Sequence, residues 1–388
     1  MGWLSLNKIG SLQRLKITRL NREEILEFFG QQPKRNWIVA LPELGKAESV
    51  VEEFTPTLGY CVLSQATLTL NPRFSAVIRG SELLLPPGID LSTPKLVVSK
   101  PPLAGIHSQI ADTVLVECSQ PSPAIPKAIF VGSASPHNWF HWVVDTLPAV
   151  YSSSLLPRSL DEFPLLIPAS ILEKPDWVEI LQMVSGNRKF LPLSDREYTR
   201  VEKLIWVLGP TTTEPAPLTG RGGKFMVEIE MIQEFADTLE TELHARQARS
   251  DEPRPATRRL FLARSQTGLR NYNQEEILEV AREYGFEPFY FESLPLADAV
   301  EVMSRAEFII GPHGAAWANT LFAKHAKGAL IWTWDEAKYE NWFHNVLAAR
   351  EIPVDTIYTG SGSNSAHYRL SVPDFRDALK RMLAKHRP

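Results

Sequence analysis

Asn138, His141 and Asp145 stand three and seven residues apart in the stretch Ser135-Pro136-His137-Asn138-Trp139-Phe140-His141-Trp142-Val143-Val144-Asp145. On a helix, that spacing brings an amide, an imidazole and a carboxylate to one face. Fold stability asks for no such alignment. Polar groups converging at the start of a helix after a strand suit proton transfer, with Asp145 as general base and His141 as its partner or reserve. Trp139 and Trp142 can offer aromatic faces to a sugar ring. The competing reading is a capped core helix in which His141 bonds a carbonyl and Asp145 pairs with an arginine. A metal reading is weaker, because no third or fourth ligand stands nearby.

The second stretch with chemical content is Glu307-Phe308-Ile309-Ile310-Gly311-Pro312-His313-Gly314-Ala315, followed by Asn319. An apolar strand over 308–311 breaks at Gly311-Pro312-His313-Gly314 before helix-forming residues resume over 315–322. The first turn of a helix carries unpaired N–H groups and the positive end of the peptide dipole, so this strand, turn and helix can receive an anion such as phosphate. Gly314 admits close backbone approach, and His313 can add a ring donor. Arg264, after the preceding strand, and Arg270, ahead of the next helix, are placed to neutralise phosphate charge. Against this stands an ordinary β–α turn flanked by solvated arginines.

These residues need elements to position them. From residue 127 the pattern reads β–α–β: strands over 128–132, 163–167, 189–193 and 203–209, with helices over 137–152 and 176–185. A long helix over 224–247 follows, and the polar, proline-bearing 250–256 reads as a linker. A second β–α series has strands over 259–263, 287–291, 307–311, 329–334 and 354–358. Its helices fall at 273–284, 296–306, 315–323, 339–350 and 373–386. Such alternation predicts parallel sheets with right-handed crossovers. The expected organisation is a β-rich N-terminal segment over 1–125, part of the first domain, then a first α/β domain over 126–250 and a second over 257–388. Within the N-terminal segment, 21–29 reads as a short capped helix, 37–41 as a strand and 60–98 as a small antiparallel element.

With 388 residues, 44% hydrophobic and 22% charged, the chain has the composition of a soluble globular protein. A formal net charge of −4 gives no electrostatic footprint for nucleic acid. Two cysteines, Cys61 and Cys118, make no disulfide framework or thiolate metal site. There is no run of about eighteen apolar residues and no apolar core of a signal peptide near the start. Leu6 occupies the position where a myristoylation signal needs Ser or Thr. The expectation is a cytoplasmic protein with at most peripheral membrane association.

Arg264, Arg270 and Asn273, then Phe291-Glu292, then Ile309 to Ala315 with Asn319, resemble the carboxyl-terminal signature of glycosyltransferase family 61. Asn138, His141 and Asp145 resemble that family's Asn-x-x-His-x-x-x-Asp stretch. Gln274 departs from the pattern where a Glu often follows the Asn, and Ala316 and Trp317-Ala318 replace smaller residues. The resemblance implies a GT-B fold of two Rossmann-like domains facing a cleft. It also implies inverting transfer of a sugar from a nucleotide-diphosphate donor, UDP-linked by expectation, to a glycan or lipid-linked glycan acceptor. The setting implied for a chain without a membrane span is bacterial surface or capsular polysaccharide synthesis. In that scheme Asp145 and His141 are catalytic, and Asn138 and Trp142 support the acceptor. The donor's phosphates fall to Arg264, Arg270, Gly311, His313, Gly314, Ala315 and Asn319. No cofactor is expected, and with no Asp-x-Asp to hold a divalent metal, none is required. Two other classes compete: a nucleotide-sugar-binding scaffold without catalysis and, more remotely, a dinucleotide-dependent oxidoreductase, for which no Gly-x-Gly-x-x-Gly follows the early strands.

Overall fold

The structure is a computed structural model that describes residues 12–28, 37–41, 46–49, 58–71, 74–86, 97–103, 106–110, 112–117, 123–132, 137–194, 198–213, 225–246, 258–265, 271–334, 340–359 and 368–385. It is a mixed α/β protein of two compact units. One comprises Met1–Trp37 and Val50–Met226, the other Ile38–Ser49 and Val227–Pro388.

The first unit contains an antiparallel meander of β1 (Gly59–Asn71), β2 (Phe74–Arg79) and β3 (Glu82–Leu85). The β–α series follows: β4 (Ile125–Phe130), helix α1 (139–153), β5 (Leu165–Pro168), α2 (Pro175–Val184), β6 (Phe190–Leu193) and β7 (Thr199–Leu208). These four strands are parallel and lie in the order β6-β5-β4-β7, the strand order of half a Rossmann sheet. β7 then pairs antiparallel with β1, so the meander continues the same sheet. Apolar residues of these strands, among them Ala128, Phe130, Leu166, Leu204 and Trp206, close one core with Cys61, Leu63 and Leu68. Cys61 is a free thiol in that core, and burial, with the nearby Glu24 charge, pushes its pKa up to about 12. Cys118 lies outside the described residues.

The helix expected over 21–29 is instead a short 3-10 turn, Arg22–Glu24, followed by the strand Leu26–Glu27. The cap forms as the sequence suggests, with Asn21 N donating to Glu24 Oε2 at 3.0 Å. Pairing with β1 then overrides a weak nine-residue helix propensity. Leu26 and Glu27 lie opposite Tyr60 and Gly59, so close that a Cβ on Gly59 would fall 2.4 Å from Leu26 O.

In the second unit, α3 (Ile229–Arg246) precedes β8 (Arg258–Leu262), α4 (Gln274–Glu283), β9 (Phe286–Phe289) and α5 (Leu296–Ser304). There follow β10 (Ala306–Pro312), a 3-10 helix (Ala315–Phe322), β11 (Gly328–Trp334), α6 (Trp342–Ala349), β12 (Val354–Thr359) and α7 (Val372–Lys385). The sheet is wholly parallel, in the order β9-β8-β10-β11-β12. This is the doubly wound order in which strand succession reverses between the first and third strands, here β8 and β10. Every residue of β11 is buried, as a central parallel strand covered on both faces requires. Phe261, Phe308, Ile310, Leu330 and Trp332 pack with α4 and α7 through Ile277, Leu278, Phe375 and Leu379. Gly285 ends α4 in the left-handed region, φ +79°, where glycine carries no Cβ penalty.

The division falls between Met226 and Val227, whereas the sequence placed it over 250–256. The reason is α3, whose Phe235, Ala236 and Leu239 are buried. Its polar groups also bond within the second unit. Gln233 Nε2 donates to Ala349 O at 2.6 Å, and Lys324 Nζ lies 3.1 Å from Asp237 and 2.8 Å from Glu240.

Candidate active site

α1 is a continuous helix with an irregular middle: Trp139–His141 is α-helical, Trp142–Thr146 forms a π turn, and Leu147–Ser153 is α-helical again. Pro148 accounts for the irregularity. It has no N–H for Val144 O, and its ring crowds the preceding turn, so a wider turn there relieves the clash. Such turns concentrate at functional sites. Within this one, His141 Nδ1 donates to Asp145 Oδ2 at 2.6 Å, and the two side chains are only 12% and 9% exposed. The other carboxylate oxygen, Asp145 Oδ1, is buried with no hydrogen-bond partner among the described residues. A buried acceptor left unpaired costs stability, typically about 1–3 kcal/mol, and is the arrangement a base needs for receiving a proton.

The remaining members of this stretch are placed differently. Asn138 is exposed and serves as the helix N-cap, its Oδ1 accepting from Phe140 N at 2.9 Å. Trp142 is fully buried and stacks on Trp177 at 4.5 Å, so the face expected to meet a sugar is covered. Trp139 meets the same Trp177 edge-on at 5.9 Å. The structure therefore brings His141 and Asp145 together and leaves Asn138 and Trp142 with visible packing duties.

In the second unit the residues gather where β8 and β10 end, at the point of strand reversal where open α/β sheets hold ligands. Arg264 follows β8, and its Nη2 donates to His313 O beyond β10. The guanidinium lies over Gly314, where an added Cβ would meet Nη2 at 2.6 Å. Gly314 has φ 177°, extended backbone that any residue adopts, and a side chain there would press only on the movable Arg264 guanidinium. Gly311 is more constrained, since its Cβ would meet Leu262 Cβ at 2.7 Å. The Arg264 backbone is clamped on both sides by the buried Gln274: Arg264 N donates to Oε1 at 2.8 Å, and Nε2 donates to Arg264 O at 2.9 Å. A Glu could accept the first bond and would face the carbonyl with a second acceptor, which gives the Gln at 274 a physical reason. Asn273 grips the Leu370 backbone in the same two-way manner, at 3.0 and 2.9 Å. Arg270 lies outside the described residues.

His313 was expected to donate to a ligand from both ring and backbone. Its backbone N–H is spent on Trp332 O at 2.8 Å. Its ring is buried edge-on to Trp334 and Phe343, with Nε2 3.0 Å from Glu340 Oε2. Ala315 opens the 3-10 helix, the form taken by the helix expected over 315–323. Trp317 Nε1 donates to Pro312 O and Thr320 Oγ1 to Trp317 O, tying side chains to nearby carbonyls. Asn319 is wholly buried there and donates to Ala316 O at 3.0 Å. Arg264 and the opening N–H groups of that helix are thus the groups left there that could meet an anion. An open groove of about 370 Å³ runs from Arg264 to the start of α4, with Tyr272 and Glu275 in its lining.

His344, beside this cluster, is buried with Nε2 2.9 Å from Thr356 Oγ1, and burial, reinforced by the charge of His313, lowers its pKa to about 4. Above about pH 6.5 the imidazole is neutral in both folded and unfolded chains. Below that value only the unfolded chain takes up the proton, so stability falls by about 1.4 kcal/mol per pH unit until the folded pKa is reached. Denaturant midpoints of the wild type and His344→Gln should therefore diverge at pH 7 and converge towards pH 4.5; parallel profiles would contradict this.

Residues 139–330 match the family model Glycosyltransferase 61. The matched span is just under half of the chain, and it contains both the His141–Asp145 pair and the Arg264–Gly314 cluster. Over that span the chain is similar to glycosyltransferase family 61. A search among curated proteins found no match. Among the described residues no helix is long and apolar enough to cross a membrane. Nor do three or more His, Cys, Asp or Glu side chains gather there in a way that could hold a metal ion.

Proposed function

We propose that the chain is an inverting glycosyltransferase that moves a sugar from a nucleotide-diphosphate donor, UDP-linked, to a glycan or lipid-linked glycan in surface or capsular polysaccharide synthesis. The observation that carries this reading is the buried, unpartnered Asp145 Oδ1, whose sister oxygen is fixed by His141. In a single displacement the acceptor hydroxyl oxygen bonds to the anomeric carbon and Asp145 Oδ1 takes its proton. The bond from that carbon to the phosphate oxygen breaks, and the nucleoside diphosphate leaves with the electron pair. Arg264 and the first N–H groups of the 3-10 helix meet the charge that develops there. We read the two units as dividing the work in the GT-B manner, base and acceptor on the first, donor on the second. The proposed setting is the cytoplasm, at most at the membrane's inner face.

In this reading a guanidinium and a helix terminus do what a divalent ion does elsewhere. Release of nucleoside diphosphate from nucleotide sugars, measured with acceptor glycans present, should proceed equally with EDTA. An absolute requirement for a divalent cation would overturn the metal-independent mechanism, and no release from any donor would overturn the transferase reading.

A further inference from the structure

Tyr290 follows β9 directly, at the same carboxyl edge of the sheet as Arg264. Ala263 N donates to Phe289 O at 3.0 Å, so the residue before Arg264 is bonded to the residue before Tyr290. The backbone at this point is held: Ser293 N and Ser293 Oγ both donate to Tyr290 O, at 3.4 and 3.0 Å, and the next side chain, Phe291, is buried. Tyr290 is nevertheless 40% exposed. Among the described residues only two other large hydrophobic side chains, Leu26 and Val62, are as open, and neither is aromatic. The Tyr290 side chain has no hydrogen bond, ion pair or ring contact within the described residues. It also lies within electrostatic reach of the groove. Burial holds the Tyr272 hydroxyl well above the usual phenol range, and Arg264, Glu275 and Tyr290 all act on it.

An exposed ring on a fixed backbone, at the ligand-binding edge and one strand from the anion-binding arginine, is a stacking surface with nothing on it. We propose that Tyr290 is the platform for the donor's nucleobase, with the diphosphate extending to Arg264; this rests on the transferase reading above. Every base has a π face to offer, and removing an aromatic platform costs about tenfold or more in affinity.

The test is calorimetric titration of the full-length chain with nucleoside diphosphates and, separately, inorganic pyrophosphate. Tyr290→Phe should bind the preferred nucleotide like the wild type. Tyr290→Ala should bind it about tenfold or more weakly while holding pyrophosphate unchanged, and Arg264→Ala should weaken both. Equal nucleotide affinity in Tyr290→Ala, or parallel loss of pyrophosphate, would overturn the proposal while leaving the transferase reading in place. Failure of the wild type to bind any nucleotide would remove both. Because the ring is exposed, the alanine variant should melt with the wild type, which separates lost stacking from lost structure.

Discussion

Asp145→Asn should lose about 10²–10⁴ in kcat, the range associated with removing a general base, without losing stability. The amide keeps the shape of the carboxylate, so packing within the π turn is preserved. The aspartate's Oδ1 is buried and makes no hydrogen bond, so the substitution breaks no bond at that oxygen. Lower turnover at an equal or higher melting temperature is the pattern of a group retained for chemistry. A structural ion pair would show the reverse: turnover largely kept and the melting temperature lowered. His141→Gln separates the members of the pair, since a positioning partner costs less in kcat than the base itself. If His141→Gln proves the more damaging of the two, the imidazole is the base and Asp145 its orienting group.

Arg264→Ala should lower turnover about 10²–10³-fold, comparable with removing one preorganised donor from a site of developing charge, and should weaken nucleoside diphosphate binding alongside. The side chain is half-buried, so solvent can satisfy the His313 carbonyl it releases, and only a modest stability change is expected. Gly314→Ala tests the same site from the other side. Its new Cβ would occupy the space of Nη2, displacing the guanidinium while leaving its charge in the protein. If charge alone mattered, Gly314→Ala would bind nucleotide like the wild type. If position matters, it should approach Arg264→Ala. Lysine at 264 should not restore function, because an ammonium lacks the forked donors that reach both a carbonyl and a phosphate.

Much of the second unit was legible because its elements are local. Strands such as Gly328–Trp334 are continuous apolar runs, and helices such as Gln274–Glu283 carry an apolar stripe, a first-turn acid pair and a closing glycine. Observed boundaries there differ from the expected ones by a few residues at most. What was not legible depends on partners distant in sequence. The strand at Leu26–Glu27 exists because β1 lies beside it, and α3 belongs to the second unit because Lys324, Ala349 and Arg350 bond to it.

The site divides in the same way. The His141–Asp145 contact was readable as a four-residue helical spacing, and it survives the π turn. The spacing did not reveal that the face would be shared unequally, with Asn138 turned to capping. For Trp142 the missing information was Trp177, thirty-five residues on, which covers its face. The turn over 311–314 was recognisable, but the later segments that pack on it were not. His313 is engaged by Trp332, Trp334, Phe343 and Glu340, all from later segments, and its expected backbone donor is consumed by the sheet. Gln274, which looked like a departure, is the clamp on Arg264. A single residue letter carries no sign of a bond to backbone ten positions earlier.

The most direct measurement is a thermal-shift titration of the full chain with UDP, GDP, CDP, CMP, ADP and dTDP, each with and without EDTA, for the wild type and Arg264→Ala. Ligand at one hundred times its Kd adds about 2.7 kcal/mol to the folded state, enough for a clear rise in melting temperature. The predicted result is selective stabilisation by one nucleoside diphosphate, UDP by expectation, indifferent to EDTA and lost in Arg264→Ala. No shift with any nucleotide, while NAD(H) or a glycan alone shifts the wild type, would contradict the donor site at the β8–β10 reversal.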